Sequence, residues 1–326
     1  MSATGIDSQT LGKVVQLACR APSVHNSQPW RLVAEAGRLR LFLQPHRIPR
    51  ATDLSGRESA ISCGALLNHI GVAAAASGWK AQIAHFPNPN DLDHLATVDF
   101  HPLEVAGESD RAWAEAILAR RTDRLPFAAP VGWEFIEPLL HSSVDPDSAT
   151  FFVLPDSRRP ELAEASRLTE SLRRHDDSYH AELHWWTGPY QTADGIPYSS
   201  LPSTSERNRV DVGRAFPSDE HPDRRPEVDR DRSVIVVLST DGDGRREALR
   251  CGEALSGLLL EATMAGLATC TLTHIVELAA GRAVIRGLTG GDGDPQVIIR
   301  IGQAPALGDP PPATPRRPLA DVLEIR

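Results

Sequence analysis

The sequence predicts an α+β chain made of two related halves that share a helical interface. Apolar periods of about 3.6 and of 2 alternate along it, so helices and strands are interleaved. An ungapped internal repeat relates two long apolar helices at an offset of 188 residues. Arg57, Ala60, Cys63, Gly64, Leu67, Ala74 and Gly78 match Arg245, Ala248, Cys251, Gly252, Leu255, Ala262 and Gly266. Strand candidates flank each copy. Residues 1–108 are expected to form the first half and residues 109–326 the second.

The elements follow in order. Ser8 to Arg20 reads as a helix, with Leu11, Val14, Val15 and Ala18 on one face, and Pro22 stops it. Trp30–Ala34 and Leu39–Leu43 read as a hairpin whose second strand alternates apolar and polar. Arg57 to Trp79 is the first repeat helix. Its Gly64, Gly71 and Gly78 make a stripe without side chains, which suits close packing. Gln82–Phe86 and Thr97–Phe100 are strand candidates, and Asp110–Arg121 is a helix. In the second half Phe151–Leu154, Ser233–Ser239 and Gln296–Ile301 are strands, and Arg245–Leu267 is the second repeat helix. Thr187 to Arg232, rich in Pro, Gly, Ser, Asp and Arg, is a long irregular insertion with the look of a lid.

Composition sets bounds. The chain has 326 residues and a net charge of −9, which argues against nucleic acid or an anionic membrane as the main partner. No run approaches the roughly 20 apolar residues of a membrane span, and Met1–Thr10 has no signal-peptide pattern. Its four cysteines form no CxxC pair, so a cytoplasmic protein with reduced thiols is expected.

Two segments carry chemistry. Pro22-Ser23-Val24-His25-Asn26-Ser27-Gln28-Pro29-Trp30 concentrates donors and acceptors in a loop stiffened by two prolines. It suits a planar heterocycle, or alternatively a plain capping loop around a buried Trp. Arg120-Arg121-Thr122-Asp123-Arg124 is either a phosphate-holding cluster or a solvated helix C-terminus. Arg316-Arg317 follows a proline-rich tail. His180 and His184 have metal-ligand spacing but no evident third ligand, so no metal site is expected. Gly290-Gly291-Asp292-Gly293 reads as a turn.

Together these segments resemble the FMN-dependent nitroreductase superfamily. Arg120–Val131 resembles its RRSxR-type phosphate motif, Pro22–Trp30 its PSxxNxQPW loop, Cys251–Leu267 its buried Gly-containing helix, and Pro295–Gly302 its strand ending in Ile-Gly. The order departs from the family: here the loop precedes the arginine motif, and each half has lost what the other keeps. Family members are homodimers with FMN between subunits. The arrangement is therefore similar to the tandem-duplicated Acg-type nitroreductase-like family, whose resemblance extends to Tyr179–Thr187 and Asp194–Pro197.

The resemblance implies a nitroreductase-like fold, two fused halves forming an intramolecular pseudo-dimer, and one FMN per chain. Arg120, Arg121 and Thr122 would bind the phosphate, helped by Arg316 or Arg317, and Arg124 would lie at the flavin N1–O2 edge. Pro22, Ser23, Asn26 and Gln28 would face the ring system, with Thr271 to His274 over its reactive face. The implied activity is NAD(P)H-dependent reduction of a nitroaromatic or quinone-type acceptor, with the flavin carrying the chemistry. The implied assembly is a monomer, with a homodimer as the other possibility. A protein that sequesters FMN beneath the 187–232 segment, with little turnover, is the alternative.

Overall fold

A computed structural model describes residues 5–188, 193–217, 222–291, 293–308 and 311–326. Asp292 and part of the predicted lid thus lie outside the described residues.

The first half starts with helix α1 (Ser8–Ala18), capped by the Asp7 side chain. Leu11, Val14, Val15 and Ala18 are buried, as their spacing predicts. Strands β1 (Trp30–Glu35) and β2 (Arg38–Leu43) form the hairpin, turned by Ala36 and Gly37 at positive φ. Helix α2 (Arg57–Ala76) leads to strands β3 (Trp79–His85) and β4 (His94–Pro102). Helix α3 (Glu108–Ala119) follows.

Helix α4 (Trp133–Ser142), strand β5 (Thr150–Leu154), helix α5 (Arg159–Arg173) and helix α6 (Asp177–Thr187) come next. The short helix α7 (Thr204–Asn208) lies within the insertion, and strand β6 (Val234–Thr240) follows it. Then come helix α8 (Arg245–Met264), strand β7 (Ala268–Leu272), helix α9 (Ala279–Thr289), strand β8 (Asp294–Gly302) and strand β9 (Leu323–Ile325).

The strands form two sheets. One has the order β3-β4-β2-β1-β9, and the other, read from the strand after its long helix, has the order β7-β8-β6-β5. The first four strands of each follow the same path, antiparallel throughout. The difference is β9, from the C-terminus, which pairs parallel to β1. A boundary at residue 108 therefore does not separate the sheets cleanly, because the chain end returns to the first one.

Helices α2 and α8 pack on each other between the sheets, at a closeness that glycine permits. A Cβ on Gly64 would lie 1.9 Å from the Leu249 carbonyl oxygen, and one on Gly252 would lie 2.0 Å from that of Ile61. Asn68 and Ser256, also 188 residues apart, share a 2.8 Å hydrogen bond across the same seam. Both helices end earlier than their apolar patterns suggest. Gly78 (φ +81°) and Gly266 (φ +75°) adopt the left-handed turn that redirects the chain into β3 and β7. The expected glycine stripe is corrected in part: a Cβ on Gly71 would meet nothing within 4 Å.

Helix α2 is also long and apolar enough to cross a membrane by length and composition, contrary to the sequence expectation. Its most apolar window is 72% buried inside the fold, so its apolarity is that of a core helix.

Candidate functional site

The loop between α1 and β1 is held in an unusual conformation. His25, Asn26 and Gln28 all lie in the left-handed region, at φ 51°, 56° and 49°. Such backbone persists only where its surroundings over-determine it. Here they do. Asn26 Nδ2 donates to the carbonyls of Gly195 (2.9 Å) and Pro315 (3.2 Å). Gln28 Nε2 donates to Ala193 O at 2.9 Å, and its Oε1 accepts from Arg317 N at 2.9 Å. Arg47 Nε donates to Ser27 O at 2.7 Å, and Arg47 pairs with Asp194. The loop is thus gripped by the insertion on one side and the C-terminal tail on the other.

A small pocket, about 50 Å³, lies beside this loop. Arg20, Arg120, Arg121, Arg124 and Arg316 line it with Ser23, Asn26 and Thr122. Among the described residues none of these arginines forms a salt bridge. Arg316 is spent on backbone carbonyls of Cys19, Arg20 and Ala21. Arg120 is only 6% exposed, and its Nε is buried without a partner. Burial, then the neighbouring Arg121 and Arg20, pushes the Arg120 guanidinium down to about 10. Burial, then Arg120 and Arg20, pushes Arg316 down to about 9. Cations gathered without a carboxylate make a site for an anion. The Asn26 Oδ1, likewise buried and without a partner among the described residues, leaves an acceptor for a donor group.

The pocket adjoins a cavity of about 610 Å³, with Pro22, Ser23, Thr122 and Arg124 lining both. That volume is in the range of small-molecule sites. Glu58, Ile61, Ser62 and Ala65 of α2 line it, as do Leu255 of α8 and Thr271 of β7. The insertion supplies Arg207, Arg214 and Phe216. Phe216 stands edge-on to His25 at 6.1 Å between ring centroids and lies under the Arg124 guanidinium at 5.2 Å. Burial holds His25 neutral, with Arg214 and Arg124 adding to the effect.

The described part of the insertion around Glu206, Arg225 and Asp231 is pinned to the body of the fold. Arg225 pairs with Asp123 at 2.5 Å. Asp231, whose side chain is fully buried, pairs with Arg159 at 2.5 Å and Arg300 at 2.6 Å and accepts from Phe127 N at 2.8 Å. Burial would raise the Asp231 carboxyl, but Arg300, with hydrogen bonds from Ser233 and Phe127 N, holds it down to about 2. Glu206 caps its own helix and accepts from Arg224 N and Arg225 N.

The structure brings together most of the predicted residues. Pro22, Ser23, Asn26, Arg120, Arg121, Thr122, Arg124 and Arg316 meet at the small pocket, and Thr271 lines the cavity. Three do not line either space. Gln28, with its side chain buried, ties the loop to the tail rather than facing the cavity. Arg317 is spent on Gln28 O, Trp30 O and Gln44 Oε1, which anchors the tail. His274 sits behind the wall with its Nε2 2.9 Å from Ser166 Oγ.

Sequence reasoning missed Arg20, Glu58, Arg214 and Phe216. The α1 helix stop at Pro22 was the signal that could have placed Arg20 beside the loop. The others carry no local signature. His180 and His184 are exposed on α6, and no group of three His, Cys, Asp or Glu is placed to hold a metal among the described residues.

No family model matches the chain. A Mycobacterium tuberculosis protein named "Putative NAD(P)H nitroreductase acg" is 54% identical over 326 residues, covering 100% of this chain and 98% of its own length. A second protein of that organism, also named a "Putative NAD(P)H nitroreductase", is 38% identical over 98% of this chain and 92% of its own length. Among solved structures, a "putative nitroreductase" from Anabaena variabilis superposes with a TM-score of 0.56 at 10% identity, over 91% of this chain and 88% of that one. The two-sheet fold is thus shared along almost the whole length, and by its full-length mycobacterial relatives the chain belongs to the nitroreductase-like family.

Proposed function

We propose that the protein is an FMN flavoprotein that carries out NAD(P)H-dependent reduction of a small organic acceptor of the nitroaromatic or quinone type. One observation carries this reading: an arginine pocket without a carboxylate among the described residues adjoins a cavity of about 610 Å³. That is the shape and charge of a phosphate joined to a flat, partly apolar ring system. Arg120, Arg121 and Arg20 would hold the phosphate, with Thr122 as a neutral donor, while Arg316, its donors spent on carbonyls, would add its charge. Arg124 would stand beside the ring edge that becomes anionic, and Pro22, Ser23 and Asn26 would line the ring's approach. When bound, FMN would supply hydride chemistry, and the chain's task is to bind it, orient it and set its electrostatics.

The loop that lines the pocket comes from the first half and the arginine motif from the second. We therefore read the chain as one site built from halves 1–108 and 109–326, active as a monomer. Four buried, unpaired cysteines suit a reducing compartment, and we place the protein in the cytoplasm. The pinned wall gives the sequestering alternative no specific support.

The test is an absorption spectrum of the purified protein followed by anaerobic NADPH. A yellow protein that bleaches and recovers on adding menadione is the expected result. A protein that cannot be loaded with FMN would overturn the reading.

A further inference from the structure

Glu58 stands out among the cavity residues because its carboxyl is not needed to cap the helix it lies in. It opens α2, but the helix N-terminus is satisfied by Asp53, which accepts from Glu58 N at 3.0 Å and Ser59 N at 2.8 Å. The neighbouring Arg57 spends its short bonds on Gln296 O (2.8 Å) and Gln296 Oε1 (2.9 Å). It comes no nearer than 3.5 Å to Glu58 Oε1. Yet Glu58 is 3% exposed and lines the cavity. An acid buried at a cavity wall, whose one ion pair is a long 3.5 Å contact with Arg57, is a candidate for chemistry.

A second buried carboxyl lies close by. Glu277 pairs with Arg214, and Arg173 stands 3.8 Å away. Arg214 also donates to Thr273 Oγ1 at 3.2 Å, and Thr273 Oγ1 donates to Glu58 Oε2 at 2.9 Å. The two acids thus share one network, and Glu277 holds the better cations. Burial first, then the charge on Glu277, raises the Glu58 carboxyl well above the ordinary carboxylate range, with Asp53 adding to the effect and Arg57 and Arg214 opposing it. Oε2 accepts from Thr273 at 2.9 Å and Oε1 from Arg57 only at 3.5 Å, so the more weakly held Oε1 is the oxygen to carry the proton. Two titratable groups with such different environments take different roles.

Resting on the flavin reading above, we propose that Glu58 is the acid that protonates the acceptor in the cavity. Thr273 and Arg214 are its positioning residues. With FMN bound and reduced, the acceptor would take a hydride, with its two electrons, from it, and Glu58 Oε1 would supply the proton. A quinone becomes a hydroquinone, and a nitroarene becomes a nitrosoarene plus water. Glu58 is left as a carboxylate beside Arg57 and Arg214 and regains its proton from water. Acceptors that need a proton at oxygen are therefore the class this cavity serves.

The experiment reduces the FMN-loaded protein with dithionite and follows reoxidation by menadione, which needs protons, and by ferricyanide, which needs none. In Glu58→Gln the ratio of the menadione rate to the ferricyanide rate should fall about 100-fold. Thr273→Val should lower it less, and Thr273→Ser should restore it. An unchanged ratio in Glu58→Gln would overturn the proposal while leaving the flavin reading intact. Failure to bind FMN, or to be reoxidised by either acceptor, would overturn both. Independently of turnover, the infrared spectrum of the FMN-free protein near neutral pH should show a protonated-carboxyl band that Glu58→Gln removes. Its absence from the wild type would also overturn the proposal.

Discussion

The two repeat helices meet as near equals, whereas the surfaces they lead to do not. Across the α2–α8 seam, Gly64 approaches the Leu249 carbonyl as Gly252 approaches that of Ile61. Beyond the seam the halves diverge. One contributes the left-handed loop at His25–Gln28, and the other contributes the arginine motif and the insertion. The difference teaches where sequence is constrained by contact and where it is free to specialise. A backbone-to-backbone seam accepts only glycine on both sides, so both copies keep it. The pockets are lined by one loop and one arginine motif, so no contact requires the other half to repeat either.

Four experiments sharpen or break that comparison. The largest effect should come from the specialised side. Asp231→Ala leaves Arg159 and Arg300 buried without their shared carboxylate, and should cost about 3–5 kcal/mol in chemical denaturation. Asp231 is also depressed to about 2 in the fold. Its contribution is present above the unfolded carboxyl value near 3.8 and is lost as pH falls toward 2. The wild type should therefore approach the stability of Asp231→Asn on acidification through that window. A gap that stayed constant would show that the wall is not held by this carboxylate.

At the seam, Gly64→Ala and Gly252→Ala should each destabilise by about 3 kcal/mol or more, and by similar amounts, because the added carbon would meet rigid backbone. Strongly unequal losses would break the equivalence of the two helices. Next, Arg120→Ala should weaken FMN binding about tenfold to a hundredfold, the worth of hydrogen bonds to a charged group, as read by fluorescence titration. Arg317→Ala should lower the unfolding midpoint instead, since its guanidinium holds backbone rather than lining the pocket. The smallest effect should be Gly71→Ala, which adds a methyl to open space within α2 and should stabilise by about 0.5–1 kcal/mol.

Glu58 offers a check of opposite sign to Asp231. Its carboxyl is raised in the fold, so stability falls as pH rises from the ordinary range near 4.5 toward 8. Thermal midpoints of the wild type should drop relative to Glu58→Gln across that interval. Parallel curves would show that Glu58 is not a buried acid.

Much of this molecule was readable in its residues because the signals are local. The spacing of Leu11, Val14, Val15 and Ala18 specified the buried face of α1. The alternation of Leu39, Leu41 and Leu43 specified that of β2. The matched glycines at 78 and 266 announced two equivalent helix ends. The reading faltered where burial depends on distant partners. Nothing near Gln28 or Arg317 reveals that they bind each other rather than a ligand, because 289 residues separate them. Arg20 joined the anion pocket only when α1, α3 and the tail were packed together.

The sequence by itself determined the periodic elements, the repeat of the two long helices and the two motif segments. Each depends on neighbours within a few turns of chain or on self-similarity that needs no coordinates. Only the tertiary structure decided that β9 returns to the first sheet, that the insertion is bolted down by Asp231 and Arg225, and that Glu58 stands at the cavity with Glu277 behind it. The physical reason is that charge and burial are properties of a place. A carboxylate's partner, and so its protonation, is set by groups that the chain brings together from hundreds of residues apart.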